Sequence, residues 1–379
     1  MKKICFITTV PGTLQSFALP TAKNMHESGE FDVSFICADD GEVSRRFPGY
    51  IHYFPVNMKR GINLYGIKAT YEMYKIFKRE KFDLVQYSTP NASLYASLAS
   101  KLAKIPVRLY CQWGIVYVGF KGIKRKIFKT IEKTVCRLST WIEPDSFGNL
   151  NFSRSEGLYG EKKSSVVWNG TSAGIDLERF DISQKDVWRR EVRKKHGIPD
   201  TAFVFGFVGR ITRDKGIDEL FESFDEISNT KKDVYLITVG KREMDDSDLE
   251  KAEANSHIIF TGGIDNPEMY YAAMDTFVLP SYREGMANSI MEAEAMGVPV
   301  IVTDIPGTVD AMSVGVTGLT VKKADVDTLR DAMNELYEND ELRNQFASAS
   351  RDFVKKNFER KELISRIIKD RKRLLGINK

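Results

Sequence analysis

Apolar residues along this chain gather into short runs, and between the runs they recur every third or fourth position. The runs at 3–10, 33–37, 51–54, 84–87 and 107–111 read as strands, while the periodic stretches at 16–28, 65–80 and 92–104 read as helices. Further strand candidates lie near Ile142 and at Val166-Val167-Trp168. The second half repeats the pattern, with strands at 203–208, 234–239, 258–261, 276–279, 300–303 and 319–321 and a helix at 217–227. Strand–helix alternation of this kind predicts parallel, doubly wound sheets. The turn-forming segment Asn169-Gly-Thr-Ser-Ala-Gly174 marks a hinge. The expected division is therefore a Rossmann-like N-terminal domain at 1–174 and a second at 175–355. A charged helical tail, 356–379, would pack back on the first. A length of 379 residues suits two cores better than one.

Composition narrows the class. With 42% hydrophobic and 28% charged residues the profile is that of a soluble globular protein, and no run approaches the roughly 20 apolar residues of a spanning helix. The opening Met-Lys-Lys-Ile-Cys-Phe-Ile is too short in its apolar part for a signal peptide and has no small-residue cleavage site, so it reads as the first strand. Cys5, Cys37, Cys111 and Cys136 show no metal-binding spacing and suggest reduced thiols in a cytoplasmic protein. A net charge of +4 is too small to argue for nucleic acid. The turn after the first strand holds one glycine, Gly12, where a dinucleotide fingerprint needs three.

Charge is nevertheless concentrated locally. In 122–138, Ile123, Ile127, Ile131, Val135 and Leu138 fall on one helical face. Around them stand Lys121, Lys124, Arg125, Lys126, Lys129, Lys133 and Arg137, opposed by Glu132 alone. Such a helix either docks on an anionic membrane surface or packs its stripe on the core with its charges in water.

The stretch from Ser281 to Pro299 carries the candidate chemistry. The strand at 276–279 runs into a loop, Glu284-Gly285-Met286-Ala287-Asn288-Ser289, and then into a helix. Ligands of open parallel sheets bind at such junctions, where a helix N-terminus offers N–H groups to an anion. Glu284 and Glu292 bracket the loop, and carboxylates accept hydrogen bonds from the vicinal hydroxyls of a sugar. Ser289 and Glu292 also fit a capping box, which would make Glu292 structural. Arg210 and Lys215 follow the strand at 203–208, where a diphosphate would meet both.

Together these segments resemble glycosyltransferase family 4: Gly209-Arg210…Lys215-Gly216, Phe260-Thr-Gly-Gly263…Tyr270-Tyr-Ala-Ala-Met-Asp275, and Glu284-Gly285…Glu292…Gly297-Val-Pro299. Asn169-Gly170…Asp176…Arg179-Phe180 is similar to the family's interdomain segment. The resemblance implies a GT-B fold, with two Rossmann-like domains facing across a cleft, and transfer of a hexose or N-acetylhexosamine from a nucleotide sugar, taken here as a UDP-sugar. It implies retention of configuration and no metal or other cofactor. Arg210 and Lys215 would hold the donor diphosphate, Glu284 the transferred sugar and Glu292 the ribose. The N–H groups of 285–289 would take sugar hydroxyls and phosphate, and Gly12 would let its backbone approach the diphosphate. Many relatives carry a histidine where this chain has Trp113, so Gln112 and Trp113 are candidates on the acceptor side, without a fixed role. The acceptor would be a glycan, lipid-linked if the basic helix meets a membrane, in cell-surface polysaccharide assembly. A sugar-nucleotide epimerase and a non-catalytic glycan- or nucleotide-binding protein remain the alternatives.

Overall fold

A computed structural model describes residues 1–42, 44–58 and 65–377. Its strands form two parallel six-stranded sheets. The first contains β1 (Lys2–Ile7), β2 (Phe31–Cys37), β3 (His52–Pro55), β4 (Leu84–Tyr87), β5 (Val107–Gln112) and β6 (Trp141–Pro144). The second contains β7 (Phe203–Val208), β8 (Val234–Val239), β9 (Ile258–Phe260), β10 (Thr276–Leu279), β11 (Val300–Thr303) and β12 (Gly318–Val321). The orders are β3-β2-β1-β4-β5-β6 and β12-β11-β10-β7-β8-β9. Both are the doubly wound order, with chain direction across the sheet reversing between β1 and β4 and between β7 and β10. Helices cover both faces, which is why β4 (Leu-Val-Gln-Tyr) and β10 (Thr-Phe-Val-Leu) are buried at every position instead of alternating.

The chain divides into one unit of Met1–Ala173 with Lys361–Lys379 and a second of Gly174–Arg360. The expected edges at 174/175 and 355/356 thus move to 173/174 and 360/361. The second shift arises because the tail is two helices, Asp340–Phe358 and Arg360–Leu374. Backbone pairing of Ile175 with Phe358 and Arg360, at 2.8 and 2.9 Å, holds the break between them in the second unit. Helix Arg360–Leu374 then buries Leu363, Ile364, Ile367 and Arg371 in the first.

Two other expectations change. The first helical segment begins at Pro11 and passes through a π turn, Leu14–Ala18, before continuing to Glu27. Pro11-Gly12-Thr13 is therefore helical and not a separate turn. Val166-Val167-Trp168 is not a strand, because Trp168 takes a left-handed φ of 53° and Thr171 one of 68°. The three side chains are partly buried instead, and Arg366 lies over the Trp168 ring at 5.1 Å.

Helix Gly122–Leu138 forms as expected, but only half of its apolar stripe is covered. Val135 is 2% exposed, whereas Ile123 and Ile127 are 79% and 51% exposed. Glu132 turns inward and accepts hydrogen bonds from Tyr110 Oη at 2.9 Å and Gln112 Nε2 at 2.6 Å. The helix's only acid is thereby removed from its outer face, which is left basic.

Candidate active site

Strands β7 and β10 are neighbours at the point where the second sheet reverses direction, so the loops that leave their carboxyl ends go to opposite faces and open a crevice. After β7 the chain makes a short turn, Arg213–Lys215, and enters helix Ile217–Thr230. After β10 it runs through Pro280–Ala287 into helix Asn288–Ala295. Two glycines, one in the loop after β7 and one beyond β11, let neighbouring backbone approach the loop after β10. A Cβ on Gly216, whose φ is +71°, would stand 2.0 Å from the Pro280 carbonyl oxygen. On Gly307, with φ +88°, it would stand 1.6 Å from the Gly285 carbonyl oxygen. The loop carrying Glu284 is thus held between two backbones that no side chain separates.

Asp214 joins the two loops. Its carbonyl accepts from Tyr282 N–H at 2.9 Å and Ser281 Oγ at 3.1 Å. Its carboxylate accepts from Thr212 Oγ1 at 2.5 Å and Arg283 Nη2 at 2.9 Å. Burial would raise its pKa, but the Thr212 hydrogen bond and the charges of Arg283, Arg210 and Lys215 outweigh it and hold the carboxyl below its ordinary value. Tyr282 is anchored in turn, donating its hydroxyl to Glu219 with Lys323 5.5 Å from its ring centre.

Of the predicted site residues, Lys215 and Glu284 come together: Lys215 Nζ lies 2.5 Å from Glu284 Oε1, and their side chains are 18% and 11% exposed. Arg210 stands apart from this pair. It is half exposed and bonded to Glu243 at 2.6 Å. Glu292 does not join a capping box. The helix begins at Asn288 with Ala287 as its cap, which places Ser289 and Glu292 inside it. The Glu292 carboxylate accepts from Tyr271 Oη at 2.8 Å. Burial pushes it above its ordinary pKa, against the Tyr271 hydrogen bond and the guanidinium groups of Arg179 and Arg360.

The run 285–289 divides. Met286 and Ala287 are buried in the core of the second unit, and Ala287 N–H is donated to Gly307 O at 3.1 Å. These two therefore hold the loop in place and do not reach a ligand through the Met286 side chain or the Ala287 amide. Gly285, Asn288 and Ser289 are half-buried at its surface.

In the first unit, Gly12 is exposed just beyond β1, and a Cβ there would meet nothing within 4 Å, so the fold itself does not require glycine. Gln112, a candidate on the acceptor side, is closed off from any ligand. It is fully buried, donates to Glu132, and accepts from Ser153 Oγ at 3.0 Å and Tyr159 Oη at 2.8 Å. Trp113 is half-buried, its ring 5.5 Å from that of Phe17 on the π turn.

Sequence reasoning missed Asp214, Arg283 and Tyr271, whose roles come from contacts across loops. It also missed Thr89, whose hydroxyl accepts from Thr9 N–H at 3.1 Å and hydrogen-bonds the Thr9 hydroxyl at 2.8 Å, where the first sheet reverses direction. Thr89 has a φ of 70°, a strained value for a β-branched residue. No sequence signal marks it beyond its place before Pro90.

Among known proteins, the family described as "Glycosyl transferase 4-like" matches residues 3–143 and "Glycosyl transferases group 1" matches 189–353. The capsular polysaccharide biosynthesis glycosyltransferase CapM of Staphylococcus aureus is 31% identical over 332 residues, covering 86% of each chain. A UDP-Gal:alpha-D-GlcNAc-diphosphoundecaprenol alpha-1,3-galactosyltransferase of Escherichia coli is 26% identical, covering 80% of this chain and 79% of its own. The fold is shared with a glycosyltransferase from Rickettsia africae, at a TM-score of 0.80 and 17% identity over 100% of this chain and 99% of that one. The chain belongs to the family 4-type, group 1 glycosyltransferases of the GT-B fold.

Proposed function

We propose that this glycosyltransferase moves a hexose or N-acetylhexosamine from a UDP-sugar to a polyprenyl-diphosphate-linked glycan during cell-surface polysaccharide assembly. The Lys215–Glu284 pair at the direction reversal of the second sheet carries this reading, because it sets a cation and a hydroxyl acceptor side by side. In the reaction the donor's anomeric C–O bond breaks, the acceptor oxygen forms the new bond, and the electron pair leaves with the diphosphate of UDP. Lys215 stabilises that departing diphosphate, and Arg210, bonded to Glu243 here, adds a second cation on exchanging that partner. Glu284 accepts hydroxyls of the transferred sugar, and Glu292, held by Tyr271, accepts those of the ribose. The acceptor hydroxyl's proton goes to the leaving phosphate, and configuration is retained without a metal. The E. coli relative's lipid-linked acceptor supports the same class of acceptor here. The basic outer face of Gly122–Leu138 supports work at the inner face of a membrane. Among the described residues no helix is long and apolar enough to cross one.

Thermal shift against UDP, GDP and their sugars is the first test, since a ligand at 100 times its Kd adds about 2.7 kcal/mol to native stability. A rise with UDP and a distinct rise with one UDP-sugar are expected. UDP release should then depend on a diphosphate-linked acceptor. Absence of any response in a folded sample would overturn the donor assignment.

A further inference from the structure

The segments that leave β7 and β8 stay paired beyond the sheet. Gly209 N–H is donated to Val239 O at 2.9 Å, Ile211 N–H to Lys241 O at 2.9 Å and Glu243 N–H to Ile211 O at 3.1 Å. Gly240 allows this approach: its φ is +147°, and a Cβ there would stand 1.8 Å from the Gly209 carbonyl oxygen. The residues flanking Glu243 are tied down as well. Arg242 pairs with Glu253 and lies 4.4 Å from the centre of the Phe260 ring, and Met244 packs on the core of the second unit. Backbone hydrogen bonds and these two anchors therefore deliver the Glu243 carboxylate to Arg210, at 2.6 Å.

Each of the two site cations is thus held by a carboxylate, in unequal surroundings. Lys215 and Glu284 are 18% and 11% exposed, whereas Arg210 and Glu243 are 51% and 41% exposed. Water and salt screen the outer pair, so it holds weakly, while separating the shielded pair would strand a charge. Arg210 is therefore the cation able to change partner. A diphosphate outcompetes one carboxylate for it, because it carries more negative charge and offers oxygens that a guanidinium fork accepts in pairs. The backbone keeps Glu243 beside Arg210 after the exchange, where its charge opposes the bound diphosphate.

We propose that Glu243 is a displaceable counter-ion of Arg210: the donor's diphosphate takes the guanidinium from it on entry, and the returning carboxylate speeds departure of the nucleoside diphosphate product. Glu243 is then a positioning residue that acts through Arg210 and sets how tightly UDP is held. The inference rests on the UDP-sugar reading above and adds to it the residue that weakens product binding.

The test is equilibrium and stopped-flow binding of UDP to the full chain, with uridine as the phosphate-free control, for wild type, Glu243→Gln, Glu253→Gln and Arg210→Gln. All three side chains are exposed, so the variants should melt as wild type does. Glu243→Gln should bind UDP about two- to fivefold more tightly, the range of an exposed ion pair, through slower dissociation and with uridine binding unchanged. High salt should shrink the gain. Glu253→Gln makes the same change in net charge on the neighbouring helix Asp246–Ala254 and should change UDP affinity far less. Arg210→Gln should weaken UDP binding, and adding Glu243→Gln to it should bring less gain than in the wild-type background. In turnover, Glu243→Gln should lower the donor KM and strengthen inhibition by UDP without raising kcat. Unchanged or weaker UDP binding by Glu243→Gln would overturn the proposal, and an equal gain from Glu253→Gln would overturn it by assigning the effect to overall charge. UDP binding that neither Glu243→Gln nor Arg210→Gln alters would remove Arg210 from the donor site and leave that site to Lys215 and Glu284. No UDP binding by the folded wild type would overturn the donor assignment itself and this inference with it.

Discussion

Lys215 Nζ and Glu284 Oε1 lie 2.5 Å apart, although 69 residues separate them in the chain, and both side chains are largely shielded from water. Each residue is thus the other's ion-pair partner, and changing either leaves the other without it. Lys215→Ala and Glu284→Gln should each lower kcat/KM for the UDP-sugar by about one to two decades, from loss of roughly 1.5–3 kcal/mol of charge-assisted bonding. In the double variant the losses should fall short of additive, because the first change already breaks the pair. A double-mutant cycle on acceptor-dependent UDP release measures this, and full additivity would show that the pair does not act as a unit.

Gly307 and Gly216 hold the Glu284 loop by absence of a side chain. Gly307→Ala should move the loop, since its Cβ would overlap the Gly285 carbonyl. The expected cost exceeds about 2 kcal/mol in stability, with a larger fractional loss in UDP affinity than in unfolding midpoint. Parallel urea titrations and UDP binding isotherms check the ratio. An alanine variant with unchanged UDP affinity would remove this loop from the donor site.

Glu294 is fully buried one turn from the site, and neither carboxyl oxygen has a hydrogen-bond partner. The Thr317 hydroxyl, which would favour its charged form, is already bonded to Ser313. Burial therefore raises the Glu294 pKa well above its ordinary 4.5. The native state binds this proton more tightly than the unfolded chain, so the contribution is stabilising in acid and is lost as pH rises through the window above about 4.5. Glu294→Met should match wild type near pH 4 and gain at neutral pH, by about 1–3 kcal/mol. Melting temperatures across pH 4–8 follow the divergence, and a constant difference would exclude the titration.

Arg371 carries the last helix into the first unit's core. Its guanidinium, 1% exposed, bonds both oxygens of Glu143, the Asp370 carboxylate at 2.9 Å and Gln86 Oε1 at 3.0 Å. Arg371→Ala leaves Glu143 buried without its cation and should cost about 3–5 kcal/mol. The double change Arg371→Met/Glu143→Met should recover most of that. Urea unfolding with limited proteolysis of 360–374 reads both effects.

Much of this was legible in the chain. The strands 84–87, 203–208, 234–239, 276–279 and 300–303 stand where the apolar runs place them, because a strand buried on both faces needs a continuous run of apolar residues. The family motifs likewise sit on local sequence, since a phosphate-binding loop needs its cation and small residues within a few positions of a strand end. Gln112 failed as a ligand candidate because burial is set by what packs above it: Glu132, Ser153 and Tyr159 come from two later helices and the loop beyond them.

The linear sequence determined most of the strands and helices, the division into two doubly wound units, and the positions of Arg210, Lys215 and Glu284 in loops beyond strand ends, with Glu292 in the helix that follows. Tertiary structure alone decided that Lys215 pairs with Glu284 while Arg210 turns to Glu243, that Glu292 answers to Tyr271, and that Glu132 faces inward. The reason is range. Hydrophobic periodicity and turn chemistry act over a few residues and are written locally. An ion pair or a buried hydrogen bond depends on which loops the strand order makes neighbours, and that order is fixed only when the sheet closes.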